Sequence, residues 1–442
     1  MNNIPLRMYS ILIIFILILS FRFIYSDGAW NTLPQNTGSA LSGDQNFYDR
    51  TGFSLSRGEG YALEGKPTCF YQPGYPAFLG AIFYFFGHSY RAVIIIQIIL
   101  AFITFSMFLY LAECLFKKYS FIPALLYLSN YMLLQFVNAL MTETLALFLF
   151  MFSHFLLYQY LKVRKNYYLI LLSISFGYLI LVRPIFQLYP LCLLVSFAVY
   201  YIFSKDHAAT PQILKSVVIF MAVSILVPLP WMIRNSNVFG SYKIGFIGGY
   251  SLYQGINPKY CGESIGWEKV DDDLNISSRI IGHPSDFGDL SCEPKYMARV
   301  DSILYSEALH IIEKRPTEVL PVMVMNVSRL LFFRPFSNQE LSIQRNLLSF
   351  INFCSFICFI GGLLFLIFKK ENKGAIIYSF SVLNLSVFLY YLAIHSLFAI
   401  EPRYGIYPTV QMYLFVPLFI LMIRGKRMSP LILQEEGCKL IA

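Results

Sequence analysis

Long apolar runs joined by short charged connections make up most of the chain, and two long polar stretches interrupt them. A helix that crosses a bilayer needs about 20 mostly apolar residues. Runs of this kind lie near 8–25, 91–115, 119–138, 143–161, 167–183, 186–203, 213–233, 347–368, 375–398 and 406–424. The pattern predicts an all-α polytopic membrane protein with about ten transmembrane helices. The apolar run Pro76–Gly87 is too short to cross and reads as a re-entrant or interfacial helix. The domain plan is a first span over 1–25, an outer loop over 26–90, spans over 91–233, a second outer region over 234–346, spans over 347–424 and a cytoplasmic tail over 425–442. Within the second outer region the run Tyr305–Phe333 is amphipathic and predicts helix lying along the membrane surface.

Charge gives these runs a direction. Only 13% of residues are charged, against about 25% in a soluble domain. The net charge of +9 is gathered in short clusters: Lys117-Lys118, Lys162/Arg164/Lys165, Lys205 with Lys215, Lys369-Lys370/Lys373 and Arg424/Lys426/Arg427. With the N-terminus inside, the span count puts all of these on the cytoplasmic face and both polar regions outside, following the positive-inside rule. Clusters scattered between spans do not form the continuous basic face that nucleic acid requires. No A-x-A-like site follows the first run, so it reads as a span and not as a signal peptide. The eight cysteines form no CxxC pair and no metal-ligand spacing. An oxidising exterior would allow Cys261 to pair with Cys292, leaving Cys69 as the odd thiol.

Ionisable groups inside spans are functional candidates by default, and here there is almost none. His154 sits mid-span and reads as a hydrogen-bonded packing residue. The chemistry-bearing groups lie instead at the outer ends of the spans. Arg183, Arg234, Arg334 and Arg403 all sit where the positive-inside rule disfavours them. Each has a local explanation, in the helix dipole or in an adjacent proline turn. Four on one face point to a shared anion, and a guanidinium fork matches a phosphate. Glu143 opens a span, either as a first-turn acid beside a Thr142 cap or as a site residue. Asp44, in a turn-like Gly-Asp-Gln-Asn context, is the sharpest acid, although aspartate also favours turns for local reasons. Asp49 shares that ambiguity, and Tyr71–Pro76 reads as a rigid turn. The acidic run Asp271–Asn275 lacks the glycine and bidentate glutamate of a calcium loop. Asn275-Ile-Ser and Asn326-Val-Ser are sequons that matter in a secretory-pathway host.

In their order and placement these pieces resemble the membrane glycosyltransferases of the GT-C fold. The nearest likeness is to bacterial relatives of the protein O-mannosyltransferases (glycosyltransferase family 39) and to the aminoarabinose–lipid A transferases. The matching residues are Gly43-Asp44 with Tyr48, Pro73-Gly74-Tyr75-Pro76, Thr142-Glu143-Thr144-Leu145, Arg183-Pro184, Pro230-Trp231 with Arg234-Asn235, Gly248–Pro258 and Arg403-Tyr404. Two departures stand out: Gln45 where the mannosyltransferases carry a second acid, and Tyr71-Gln72-Pro73 where the lipid A transferases have Glu-Lys-Pro.

The resemblance implies an inverting transfer of a sugar from a polyprenyl-phosphate carrier to an acceptor hydroxyl at the outer face of a bacterial inner membrane. The acceptor is a protein, lipid A or a cell-envelope glycan. Asp44 is then the general base and Glu143 a supporting acid. Tyr48, Tyr75, Arg183, Arg234, Lys243, Arg334, Arg403 and Tyr404 are then the substrate-binding set. No cofactor is required, and a divalent metal is left open. Two other classes compete. A transporter or flippase of lipid-linked sugars would line a polar path across the bilayer. An O-antigen polymerase or ligase would rest on basic residues in a long outer loop and need no acid in the first one.

Overall fold

The computed structural model describes residues 11–19, 43–194, 210–263, 265–281, 293–332, 343–368 and 376–424. Arg334, Cys292, Lys205, the Lys369–Lys373 cluster and the tail lie outside the described residues, and with them the Cys261–Cys292 pairing. The elements are α1 (11–19), α2 (Asp44–Ser56), a hairpin of β1 (Ala62–Leu63) and β2 (Lys66–Pro67), α3 (Gly74–Phe86), α4 (Tyr90–Phe116), α5 (Phe121–Ser129), α6 (Thr142–Val163) and α7 (Asn166–Val182). They continue as α8 (Thr210–Leu226), α9 (Leu229–Phe239), α10 (Gly248–Ile256), α11 (Trp267–Leu274), α12 (Ile276–Ile281), α13 (Pro294–Lys314), α14 (Pro316–Phe332), α15 (Ile343–Phe368), α16 (Ile376–His395) and α17 (Ile406–Ile423).

Among the described residues five helices are long and apolar enough to cross a membrane, within α4, α6, α15, α16 and the 402–423 stretch that ends in α17. The α8–α9 pair makes a sixth if counted together, but it is bent by 41°. Pro228 and Pro230 stand at that break, so the single helix predicted over 213–233 is two. The span predicted over 119–138 is also broken. Nine residues form α5, and two 3-10 turns, Tyr131–Leu133 and Gln135–Asn138, follow it. Asn130 causes the stop: its side chain accepts the Met132 N–H at 3.0 Å, a local bond that competes with the helix.

Unwound backbone survives at membrane depth only where its polar groups find protein partners. Gln97 of α4, fully buried, supplies them here. Its amide donates to the Val137 and Ala139 carbonyls at 2.8 and 2.9 Å, and its oxygen accepts the Tyr75 hydroxyl at 2.9 Å. The amphipathic run predicted over Tyr305–Phe333 falls on two helices, α13 and α14, which part at Arg315 because Pro316 opens the second.

The first outer loop is more ordered than its turn residues predict. Asp44 opens a 13-residue helix and does not sit in a turn. An acid in the first turn suits the positive end of the helix dipole. The α2 helix packs closely on α3, because a Cβ at Gly52 would lie 2.8 Å from Leu79 Cβ. Beneath it, α3 sits on the end of α7: a Cβ at Gly74 would lie 2.6 Å from the Leu181 carbonyl carbon. Asp49, left ambiguous by sequence, is buried and bonds His88 Nε2 at 2.6 Å and the Tyr90 hydroxyl at 2.9 Å, tying α2 to the start of α4. His154 is a packing residue, as expected, with Nδ1 bonded to the Phe150 carbonyl at 2.7 Å.

Candidate active site

Four segments far apart in sequence bring their charges together at one end of the helix bundle. Asp44 comes from the start of α2, Glu143 from the first turn of α6, Arg183 from the C-cap of α7, and Arg403 from the 3-10 turn Pro402–Gly405 before α17. At the opposite end of α17, Arg424 reaches Tyr119 just beyond α4, at 3.0 Å. The cluster therefore occupies the face opposite the Lys117-Lys118 connection.

Arg403 is the hub. Its Nη2 donates to Asp44 Oδ2 at 2.9 Å and to Glu401 Oε1 at 3.1 Å, and its Nε lies 2.7 Å from Glu401 Oε2 and 3.5 Å from Glu143 Oε1. Arg183 Nη2 donates to the same Glu143 oxygen at 2.5 Å. Both guanidinium groups lie over the Tyr404 ring, at 5.1 Å for Arg183 and 5.5 Å for Arg403. The second oxygen of Asp44, Oδ1, accepts the Tyr71 hydroxyl at 2.6 Å. Burial, reinforced by Asp44, raises the Tyr71 phenol well above its ordinary range, so it stays a donor.

Exposure separates the two acids that sequence singled out. The Glu143 side chain is 1% exposed and sealed between the arginines, while Asp44 is 25% exposed. Asp44 is the one an incoming group can reach. Thr142 does not cap α6; the N-cap is Met141, and Glu143 is engaged in ion pairs.

The aromatic candidates form the floor. The Tyr48 ring lies 5.3 Å from both the Tyr71 and Tyr75 rings. Burial raises the Tyr48 phenol too, with Asp44 adding to the effect. Tyr75 sits one layer lower, its hydroxyl given to Gln97.

Two of the predicted phosphate binders, Arg234 and Lys243, are bonded to other groups in this structure. Arg234 Nη1 donates to the Thr68 carbonyl and to Asn235 Oδ1, both at 2.9 Å, and its Nη2 reaches the Tyr61 carbonyl at 3.2 Å. Packed against Trp231 and Phe239, it fastens the hairpin to α9. Lys243 pairs with fully buried Asp301 at 2.6 Å, and Asp301 also accepts the Gly249 N–H at 2.6 Å. These bonds hold α10 on α13. The residues sequence reasoning missed are Glu401, Tyr71, Met141, whose sulfur lies 3.8 Å from Arg403 Nη1, and Gln97. Tyr71 stands inside the run Tyr71–Pro76, where turn chemistry gave it a sufficient local role, and Glu401 stands two residues before Arg403. Among the described residues no group of three or more His, Cys, Asp and Glu is placed to hold a metal ion.

The fold is that of the GT-C membrane enzymes. Among solved structures the chain is similar to the archaeal oligosaccharyltransferase AglB from Archaeoglobus fulgidus, determined in complex with an inhibitory peptide and a dolichol-phosphate. The TM-score is 0.52 at 15% identity, over 98% of this chain and 52% of AglB. The chain thus spans about half of that protein's length. No family model and no curated protein matches the sequence.

Proposed function

We propose that this protein is an inverting membrane glycosyltransferase. It moves a sugar from a polyprenyl-phosphate carrier to an acceptor hydroxyl on a protein, lipid or cell-envelope glycan at the outer face of the membrane. The observation that carries the reading is the convergence of Asp44, Glu143, Arg183 and Arg403 on one face. The GT-C fold supports it, and so does the dolichol-phosphate bound by AglB. A proton relay or transport path needs ionisable groups along the bilayer interior, and these four stand at the helix ends instead.

The step balances as follows. Asp44 takes the proton of the acceptor hydroxyl, and the acceptor oxygen bonds to the anomeric carbon from the side opposite the phosphate. The bond from that carbon to the phosphate oxygen breaks, and the electron pair leaves with the carrier phosphate. Attack from behind inverts the anomeric centre. Arg403 and Arg183 stabilise the charge that builds on the departing phosphate. Glu143 holds both guanidinium groups in register. The reaction as drawn uses no cofactor.

Purified protein in nanodiscs, supplied with labelled carrier-linked sugars and envelope acceptors, tests the reading. Replacing Asp44 by Asn is expected to cut transfer by about 10²–10⁴-fold, the usual contribution of a general base. Transfer by the Asn variant at the wild-type rate would end the assignment.

A further inference from the structure

Both oxygens of the proposed base are already occupied. Asp44 Oδ1 holds the Tyr71 hydroxyl and Oδ2 holds Arg403. Each oxygen keeps a further lone pair, but while Arg403 holds Oδ2 the charge of the Asp44 carboxylate is shared with a guanidinium. The proposed phosphate ligand is partly engaged: Nη2 and Nε of Arg403 face Asp44, Glu401 and Glu143, and its Nη1 faces the Met141 sulfur. Three carboxylates stand around two guanidinium groups. A lipid phosphate approaching this arrangement meets an excess of negative charge, so it competes with the carboxylates for the Arg403 donors.

Geometry selects which one. Glu143 is 1% exposed and is held by Arg183 as well as by Arg403. Glu401 stands two residues from Arg403 in the same turn, and its departure would leave Asp44 masked. Asp44 is 25% exposed and is the first residue of its helix, next to Gly43, around which a Cβ would find nothing within 4 Å. It keeps Tyr71 as a partner when Arg403 lets go.

We infer that Arg403 is the seat of a lipid-borne phosphate and that Asp44 occupies this seat until the phosphate displaces it. This rests on the glycosyltransferase reading and adds an order to it: the donor binds first, and its phosphate unmasks the base. An acceptor hydroxyl, or water, that arrives earlier finds Asp44 bonded to arginine. The coupling follows from competition, since a ligand whose seat is filled binds more weakly by the fraction of the time the seat is free.

The consequence runs against the usual expectation for a catalytic acid. Asp44→Asn should lose transfer yet bind an isoprenyl phosphate more tightly, by about tenfold, or about 1.4 kcal/mol. The probes are farnesyl phosphate, farnesol and inorganic phosphate, titrated against the full chain in zwitterionic nanodiscs. Tightening for farnesyl phosphate, with no response to farnesol or inorganic phosphate, is the expected result. Equal tightening for inorganic phosphate overturns the lipid-borne source.

A second measurement separates exchange from a general change of charge. Carbodiimide coupling of glycine ethyl ester to wild-type Asp44, read by peptide mass spectrometry, should rise when farnesyl phosphate is present. Should the Asn variant misfold, Glu401→Gln removes the same charge beside Arg403 while Asp44 stays. Because Asp44 still holds the seat in this variant, it should keep the labelling response. Unchanged or weaker binding in Asp44→Asn, or Asp44 labelling blind to farnesyl phosphate in the wild type or in Glu401→Gln, overturns the exchange. Lost transfer without tighter binding leaves the glycosyltransferase reading standing and removes only the exchange. Retained transfer in Asp44→Asn removes the base assignment and with it the unmasking step.

Discussion

Arg403 and Arg234 have the same side chain and opposite surroundings. Arg403 faces carboxylates, whereas Arg234 faces two backbone carbonyls and an amide. Asp301 makes the same point for acids. Burial pushes its carboxyl above the usual range, against the pull of Lys243. An acid raised in this way holds its proton more firmly in the folded chain than in the unfolded one. Its stabilising contribution is full below the unfolded value, about 3.9, and is lost as pH rises through the folded value. Asp301→Asn keeps an acceptor for the Gly249 N–H and carries no charge to bury. Its melting temperature should therefore gain on the wild type as pH rises through the acid range. A difference that stays flat across a thermal-unfolding series in pH would contradict this assignment.

The unwound stretch between α5 and α6 does more for the site than any single helix. It delivers Glu143 at the start of α6, and Gln97 holds it by bonds to Val137 and Ala139. Replacing Gln97 with Leu would orphan the buried Val137 carbonyl, at a cost of about 1–3 kcal/mol, and would remove one partner each from the Ala139 carbonyl and the Tyr75 hydroxyl. The expected outcome is a lower melting temperature in detergent together with lost transfer, because Glu143 and the floor tyrosines shift as one. Gln97→Glu should fare no better, since a second oxygen would face the same carbonyls. A Leu variant with wild-type melting and wild-type transfer would show that the segment holds itself. The α2–α3 pair is the complementary case, a rigid platform for Asp44 packed through Gly52 against Leu79.

For the molecule as a whole, the positive-inside rule sets the expected orientation. Asp44, Glu143, Arg183 and Arg403 share one face, and Lys117-Lys118 with Arg424 mark the other. Cysteines placed at Glu59, exposed beyond α2, and at Lys118, exposed beyond α4, sample the two faces. In intact cells a membrane-impermeant maleimide should label Glu59→Cys, and should label Lys118→Cys only after permeabilisation. The reverse result would put the site in the cytoplasm and remove the outer-face donor.

Hydropathy and charge are sums over neighbouring residues, and a bilayer reads those sums directly. The long apolar helices and the quiet membrane interior were therefore legible along the chain, as were Glu143, Arg183 and Arg403 as residues at helix ends, whereas Asp44 read as a turn residue and opens a helix. Breaks inside apolar runs were not, because Asn130 and the Pro228–Pro230 pair stop a helix without lowering its hydropathy enough to show. The pairing of Asp44 with Arg403 crosses 359 residues of sequence. Nothing local distinguishes that arginine from Arg234, which has the same chemistry and a similar helix-end setting. Only the packing of α2 and α3 on α7, beside the turn before α17, puts one guanidinium against carboxylates and the other against a hairpin.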